Sequence, residues 1–472
     1  MTAVSVYLGI DLGTSGLKLS LVDQAGQIRA EAEEPYEVHA PAPGHAETDP
    51  ADWLTALHRA GKRLSGSAAG PVAAIGVTGQ MHGVVLSDRD GEPLRPALLW
   101  PDQRAAEIMH RWTDLPADAR SRLGNPLVPG MAGPLLTWLH EYEAASLDAA
   151  ALVTSPKDWL RGRLTGDTTT DRSDASATLL WDVVADDWAT DALSLTGISR
   201  DQLPAVASSH AVVGTSDLFD EHKAPAPVVA GAADTAAALV ALQATQPPDT
   251  WSRSLVINAG TGIQIVRPQA PAEARTDPIT HLYADADGGW YEMLAVQNGG
   301  MALSWVQGVL DVTWDQFLSL AKASPAGAGG AVFVPFLTGE RGGLAPSNST
   351  ARWSSLTPST GRAQLARSAF EAFAFTIRRG TDMLGGHQGP VLLSGGGARE
   401  PWIRQLIADV LDIPVSYLHL RSASAVGAAV LAARGVGMRL PVPATVVEVK
   451  PSDRDRQRLD QAYDLWQATV DA

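Results

Sequence analysis

The chain of 472 residues carries a formal net charge of −16, with 45% hydrophobic residues, 19% charged residues and no cysteine. This acidity, with no basic run interleaved with aromatics, excludes a nucleic-acid partner, and the missing cysteines exclude disulfides, thiolate metal sites and a cysteine nucleophile. No apolar run reaches membrane-spanning length and the chain opens directly into a strand, so a cytoplasmic enzyme of roughly two or three domains, with no membrane partner, is expected.

The first element is the run Tyr7-Leu8-Gly9-Ile10-Asp11-Leu12, followed by Gly13-Thr14-Ser15-Gly16 and then Leu17-Lys18-Leu19-Ser20-Leu21. It reads as strand, tight hairpin, strand. The turn offers successive N–H groups and two hydroxyls with almost no side-chain bulk, a concavity suited to phosphate oxygens. Asp11 beside it would hold a hydrated Mg²⁺, the usual companion of nucleotide phosphates. Taken alone, the stretch also fits a glycine hairpin in any sheet.

A third strand follows the turn at Asp23-Gln24-Ala25-Gly26, and Asp49-Pro50 marks a helix start, with Asp49 as cap and Pro50 at the first helical position. A short buried strand at 71–77 delivers Thr78-Gly79-Gln80-Met81-His82-Gly83 into a loop, and a strand at 97–100 runs into Trp100-Pro101-Asp102-Gln103-Arg104. Residues 135–139 and 157–160 are helical in pattern. A polar, proline-containing segment from Leu218 to Pro227 leads to Ala230-Gly231-Ala232-Ala233-Asp234 and a small-residue helix over 235–242. Strands alternating with helices point to an α/β protein. Turn chemistry at Gln246-Pro247-Pro248-Asp249 places a boundary between domains 1–245 and 246–472.

The second domain opens on Leu255-Val256-Ile257-Asn258-Ala259-Gly260-Thr261-Gly262-Ile263, again strand, Gly-Thr turn, strand. Laid on the first hairpin, Asp11 meets Asn258, Gly13 meets Gly260 and Thr14 meets Thr261, which suggests a duplication with two phosphate loops facing a cleft. Later come Ser394-Gly395-Gly396-Gly397-Ala398-Arg399 between a strand and a helix, where a flat ligand or phosphate can approach the backbone. A close-packing helix over 423–431 precedes a final amphipathic helix with Leu459, Tyr463, Trp466 and Val470 on one face, a core or docking stripe.

Together with Pro156-Lys157-Asp158-Trp159-Leu160-Arg161, Ser173-Asp174-Ala175 and Gly339-Glu340-Arg341, these motifs resemble the FGGY carbohydrate kinases almost end to end, most closely those acting on xylulose. The resemblance implies an α/β fold of two actin-like, ribonuclease H-type domains with the active-site cleft between them. It implies an ATP-dependent sugar kinase using Mg²⁺, with D-xylulose the leading acceptor and ribulose, sedoheptulose, a pentitol or gluconate as alternatives. Asp234 is then the catalytic base, and Asp11 faces the metal–phosphate cluster, through water. Gln80, Met81, His82, Trp100 and Thr235 line the sugar. Gly13, Thr14, Ser15, Lys18, Gly260 and Thr261 hold phosphates, and Gly396, Gly397 and Ala398 line the adenosine. Glu340 and Arg341 read as a loop ion pair outside the site. Family members often form homodimers. The chain departs from the xylulose-kinase pattern at Thr235, where Asn is usual, in the loop Ala230-Gly231-Ala232-Ala233, which usually carries more glycine, at Ile263, where glycine is common, and at Leu135, where a motif lysine falls.

Asp234 at a helix start is expected to have its carboxylate stabilised by the helix dipole and its pKa lowered; the same position also suits a simple cap. A dinucleotide dehydrogenase is disfavoured because glycines 9, 13 and 16 do not fit G-x-G-x-x-G, and a P-loop NTPase lacks its Gly-Lys-Ser/Thr ending. An actin-like ATPase that uses nucleotide only as a switch shares the hairpins but has no use for the loop 80–83.

Overall fold

The computed structural model describes residues 5–65, 70–218, 225–337, 339–340, 343–346 and 348–472; Arg341 and residues 219–224 of the polar segment lie outside the described residues. Two mixed sheets organise the chain. The first contains β1 (Val6–Leu12), β2 (Gly16–Asp23), β3 (Ile28–Pro35), β4 (Val72–Gly79), β5 (Val212–Ser216) and β6 (Ala226–Val229) in the order β5-β6-β4-β1-β2-β3, with β7 (Ala232–Ala233) beside β4. Helix α1 (Pro50–Ser65) begins as expected, with the Ala51 N–H donating to Asp49 Oδ1 at 2.9 Å.

The second sheet contains β8 (Leu255–Ala259), β9 (Ile263–Pro268), β10 (His281–Ala284), β11 (Trp290–Val296), β12 (Val391–Ser394), β13 (Val415–His419) and β14 (Thr445–Val449) in the order β10-β11-β9-β8-β12-β13-β14. The two sheets repeat one plan. Antiparallel β3-β2-β1 and β11-β9-β8 each continue into parallel neighbours, β4 and β6 in one case, β12 and β13 in the other. Asp11 and Asn258 are both the last residue but one of their strands.

Strand alternation then assigns the faces. Val6, Leu8, Ile10 and Leu12 pack outward with Trp53 and Leu57 of α1, whereas Tyr7 belongs to a core shared by both halves of the chain. Asp11 lies on the Tyr7 face, two residues beyond Gly9. In the second sheet Leu255, Ile257 and Ala259 face an outer core with Phe370 and Trp466, and Val256 joins the shared core, so Asn258 also faces inward. The final helix, Arg456–Asp471, stays with the second half: Leu459, Tyr463, Trp466 and Val470 are buried there, and Trp466 Nε1 donates to the Phe333 carbonyl at 2.9 Å.

Two small-residue helices fill the space between the sheets. Helix α2 (Asp234–Gln243) contributes Ala236, Leu239 and Val240 to the shared core alongside Val256 and Tyr291 of the second sheet. Helix α3 (Ala423–Gly435), from the second half, lies on the inner face of the first sheet. Its approach is at backbone contact. A Cβ on Gly9 would come within 1.8 Å of the Ala425 carbonyl oxygen, one on Gly76 within 2.0 Å of that of Ala428, and one on Gly427 within 1.8 Å of that of Ala237. Among the described residues no helix is long and apolar enough to cross a membrane.

A methyl group has no room at Gly9, whereas a Cβ on Gly308, in the helix Gly300–Val309, meets nothing within 4 Å. Urea unfolding of Gly9→Ala is expected to show a loss of about 2–4 kcal/mol or failure to fold. Gly308→Ala is expected to gain up to about 1 kcal/mol from helix propensity. Equal tolerance of the two changes would contradict the close helix contact.

Candidate active site

The register of the parallel strands builds the site. Leu12 pairs with Gly79 and Gly79 with Ala233, so β1, β4 and β7 end side by side. Asp11, the loop from Gln80 and the head of α2 at Asp234 therefore emerge at one edge, the carboxyl end of parallel strands where α/β sheets place ligands. Here a cleft of about 560 Å³ is lined by Asp11, Gly13, Thr14, Ser15, Lys18 and Glu33, with Lys18 Nζ 3.4 Å from Glu33. The hairpin is held from behind. The Gly13 carbonyl accepts from Gln80 Nε2 at 3.3 Å and from the Tyr36 hydroxyl, and Thr14 Oγ1 accepts from Trp100 Nε1 at 2.8 Å. Gln80 is buried and Trp100 is 38% exposed, so Trp100 stands at the mouth and ties the Trp100–Arg104 stretch to the phosphate turn. That stretch is anchored by Asp102, which takes the Ala46 N–H at 2.7 Å and pairs with Arg104 at 2.8 Å.

The backbone before Asp234 is fixed group by group. The Ala230 carbonyl accepts from Lys157 Nζ at 3.2 Å and Arg161 Nη1 at 2.8 Å; the Ala232 carbonyl accepts from Thr78 Oγ1 at 2.7 Å. The Ala233 N–H donates to Ser173 Oγ at 2.9 Å, and Ser173 Oγ donates to Asp171 Oδ2 at 2.6 Å. Gly231 sits at φ 81°, where a Cβ would strike the Val77 carbonyl oxygen at 1.8 Å, so this glycine is required. Lys157, Arg161, Asp158, Asp171 and Asp174 are all buried, with Lys157 3.2 Å or less from each of the three acids. Burial opposes the Lys157 charge, but the three carboxylates outweigh it and hold its pKa up. Asp174 is pushed well above the carboxylate range by burial, with Lys157 pulling it down and Asp158 and Asp171 pushing it up. A cluster so paired is a rigid support, since losing one partner would strand a buried charge.

Asp234 is the first residue of α2 rather than its cap, and its Oδ1 accepts the Thr235 N–H at 2.6 Å and Thr235 Oγ1 at 3.2 Å. The expected lowering of its pKa is overturned. Burial raises it to about 6, and the two Thr235 hydrogen bonds only moderate that rise. Asp11 is raised to about 7, by burial and then by Asp234, with Lys18 pulling the other way. The charge of Asp234 is thus felt at Asp11, both side chains are half-buried, and Lys18 is the positive charge that acts on Asp11. Among the described residues no group of three or more His, Asp or Glu side chains forms a ready-made metal site. A lining of two acids with one lysine is of a kind that a divalent cation carried by nucleotide phosphates would suit.

The second half adds its own turn. Gly260 N–H donates to the Gly262 carbonyl at 2.9 Å, and the Gly260 and Thr261 carbonyls accept from the N–H groups of Gly300 and Met301 at 2.9 and 3.0 Å. Glu340 braces that junction: it is buried and accepts the N–H groups of Gln297 at 2.8 Å and Asn298 at 3.2 Å. Expected from the sequence as part of a loop ion pair outside the site, Glu340 is bonded here to the backbone next to the Gly260-Thr261 turn. Gly395, Gly396, Gly397 and Ala398 follow β12 next to the same turn, where Cβ atoms on Gly395 and Gly397 would meet the Ala259 carbonyl oxygen at 2.4 and 2.9 Å. A polar thread joins the halves: Gln264 Nε2 donates to Thr235 Oγ1 at 3.4 Å and Asn258 Nδ2 to Gln264 Oε1 at 3.2 Å.

On the sugar-side loop, Met81 is buried and His82 is partly exposed at φ 73°, a left-handed conformation uncommon for a non-glycine residue. His82 Nδ1 lies 2.5 Å from the Ala177 carbonyl and must be the donor, which makes Nε2 the acceptor of the neutral ring. Sequence reasoning missed Tyr36 and the Lys157–Asp171–Ser173 support. The motifs containing Lys157 and Ser173 were visible, but their convergence on residues 230–233 exists only in the fold.

Residues 6–241 match the N-terminal domain of the FGGY family of carbohydrate kinases and residues 211–436 match its C-terminal domain. The chain belongs to the FGGY family. It is 32% identical over 442 residues to a xylulose kinase of Klebsiella pneumoniae, covering 91% of this chain and 89% of that one. The crystal structure of a xylulose kinase from Rhodospirillum rubrum superposes with TM-score 0.88 at 27% identity, covering 98% of each chain. A gluconate kinase from Lactobacillus acidophilus shares the fold, with TM-score 0.90 at 23% identity over 99% of this chain and 97% of that one. The two-domain fold and the ATP-dependent sugar kinase class expected from the motifs are thereby established.

The raised acids give signed pH effects. If Asp234, at a pKa of about 6, serves as a base, it must be ionised to act, and turnover is then expected to fall about tenfold per unit below that pH. Thr235→Val, which removes one stabilising hydrogen bond, is expected to move this limb to higher pH; an unmoved limb would exclude Asp234 as its source. Both acids sit above their ordinary 3.8, so the folded state binds the extra protons. Their neutral forms therefore contribute stability fully below pH 3.8, and this is lost as pH rises through about 6 and 7. Asp11→Asn is accordingly expected to melt higher than the parent at pH 8 without ligand, by about 1–2 kcal/mol, and to differ little at pH 4.

Proposed function

We propose that the chain transfers the γ-phosphoryl group of ATP to D-xylulose, giving D-xylulose 5-phosphate and ADP, with Asp234 as the general base. The observation that carries the transfer is Asp234 itself, a half-buried carboxylate of raised pKa, held by its loop at the same sheet edge as the first hairpin. Xylulose is favoured by the named relatives and by the Met81-His82 pair at the sugar-side loop.

In this reading the terminal sugar hydroxyl lies within hydrogen-bond reach of an Asp234 carboxylate oxygen. The hydroxyl oxygen attacks the γ-phosphorus in line, the bond to the β-bridging oxygen breaks, and the proton passes to Asp234. Because the transition state is loose, the base mainly orients the nucleophile and takes the proton late. The N–H groups and hydroxyls of Thr14, Ser15 and Thr261, with the Lys18 ammonium, hold the phosphates, and Gly13 and Gly260, whose own N–H groups close the two turns onto the Gly16 and Gly262 carbonyls at 3.0 and 2.9 Å, leave room for the phosphates beside them. Gly396, Gly397 and Ala398 line the adenosine, where the missing side chains admit a flat base. A Mg²⁺ brought by ATP would be held by Asp11 through water and would neutralise phosphate charge. His82 bonds a sugar hydroxyl, and Gln80, Trp100 and Thr235 keep the pocket walls in place. Closure of the halves would exclude water, the competing acceptor.

Asp234→Asn is expected to lose about three orders of magnitude or more in turnover while still binding ATP. Activity near that of the parent would remove Asp234 from the mechanism. A coupled assay of ADP release over ketoses, pentitols and aldonates tests the acceptor. The highest kcat/KM should fall on D-xylulose, by about tenfold over ribulose, sedoheptulose, pentitols and gluconate. A higher value on another sugar would replace it, and ADP release without any sugar would favour a nucleotide switch.

A further inference from the structure

The edge strand of the second sheet, β10, is not left open to solvent. Its Leu282 presents an N–H and a carbonyl to the first half, and the buried carboxamide of Asn125 satisfies both, Oδ1 accepting the N–H at 2.9 Å and Nδ2 donating to the carbonyl at 3.0 Å. Two residues on, the Ala284 N–H donates to Ser176 Oγ at 2.9 Å. An amide that pairs with both groups of an edge residue mimics another strand and fixes register. The strand of the nucleotide half is thereby latched onto the sugar half.

The latch sets a side chain behind His82. Tyr283, between the two anchor points, is fully buried, and its ring lies 5.8 Å from the His82 ring, centroid to centroid, tilted by 50°. Tyr283 is itself held by its hydroxyl 2.7 Å from His281 Nδ1, by stacking on the His281 ring at 5.2 Å, and by an edge contact with Tyr291 at 5.8 Å. The same short segment serves both sides, because Ser176 binds the strand and Ala177 binds His82 Nδ1. His82 is held in an uncommon backbone conformation, so its ring depends on such outside support.

We propose that Tyr283, latched in place by Asn125, is a positioning residue for His82, so that the second half of the chain completes the sugar site of the first. Being buried, Tyr283 acts on the sugar only through His82. This inference rests on the reading of His82 as a sugar ligand.

A double-mutant cycle on the sugar KM tests it. His82→Ala and Tyr283→Leu are each expected to raise the sugar KM by about tenfold, with the ATP KM within about twofold of the parent. In the His82→Ala background, Tyr283→Leu should add less than about twofold, because its route to the sugar is gone. Tyr283→Phe, which keeps the ring, should stay within about threefold of the parent. Asn125→Ala, which leaves the ring intact, should act in the same direction as Tyr283→Leu and likewise lose its effect without His82. An unchanged sugar KM in Tyr283→Leu, or multiplicative effects in the double variant, would overturn the positioning role while leaving the sugar reading intact. An unchanged KM in His82→Ala would remove both.

Discussion

The contact between α3 and the first sheet sets the spacing of the whole molecule. Gly9 and Gly76 let the helix backbone rest on the strands, and Gly427 lets α2 rest on the helix. Asp11 lies two residues beyond Gly9, and Asp234 three residues before Ala237, whose carbonyl meets Gly427. A helix built mainly of Ala, Ser, Val and Gly thus acts as a spacer between the two elements that carry the acids. Larger side chains would move both sheets apart, and the cleft at the strand ends would widen with them.

This spacing sets two acids of raised pKa at one edge of the sheet with little positive charge beside them. Burial works against both carboxylates, and Lys18 alone offers partial relief at Asp11. Lys157 and Arg161 lie nearby, but their charges are taken by Asp158, Asp171 and Asp174 and by the Ala230 carbonyl. Positive charge is thus spent on holding the loop before Asp234, and the cleft itself is left short of it. Such a cleft favours a ligand that brings its own cation, as nucleotide phosphates do. The acidity of Asp234 then sits near neutrality, where a base is both ionised and still able to accept a proton.

Much of this was legible in the sequence where it depends on local pattern. The strand–turn–strand pattern placed Asp11 beside a glycine turn, and the matching hairpin did the same for Asn258. Asp49-Pro50 announced its helix, and Ala233-Asp234 announced another. Where the reading failed, the cause was non-local. The dipole of α2 pointed to a lowered Asp234 pKa, but burial under elements distant in sequence prevails. Tyr36, Asn125 and Tyr283 carry no motif of their own, the Gly339-Glu340-Arg341 motif does not reveal what Glu340 holds, and each of the four acts on a partner far along the chain. A division at residue 245 follows the covalent order, whereas the packing crosses it in both directions through α2 and α3.

The central claim is that close helix packing holds Asp11 and Asp234 as a charge-deficient pair awaiting a cation-bearing nucleotide. Calorimetric titration of Mg²⁺ and a non-hydrolysable ATP analogue, in buffers of differing ionisation enthalpy, measures the protons released on binding. An Asp11 pKa of about 7 predicts release of about half a proton at pH 7, almost none at pH 9, and less at pH 7 in Asp234→Asn, where Asp11 no longer feels the Asp234 charge. Binding without proton release at pH 7 would contradict the account.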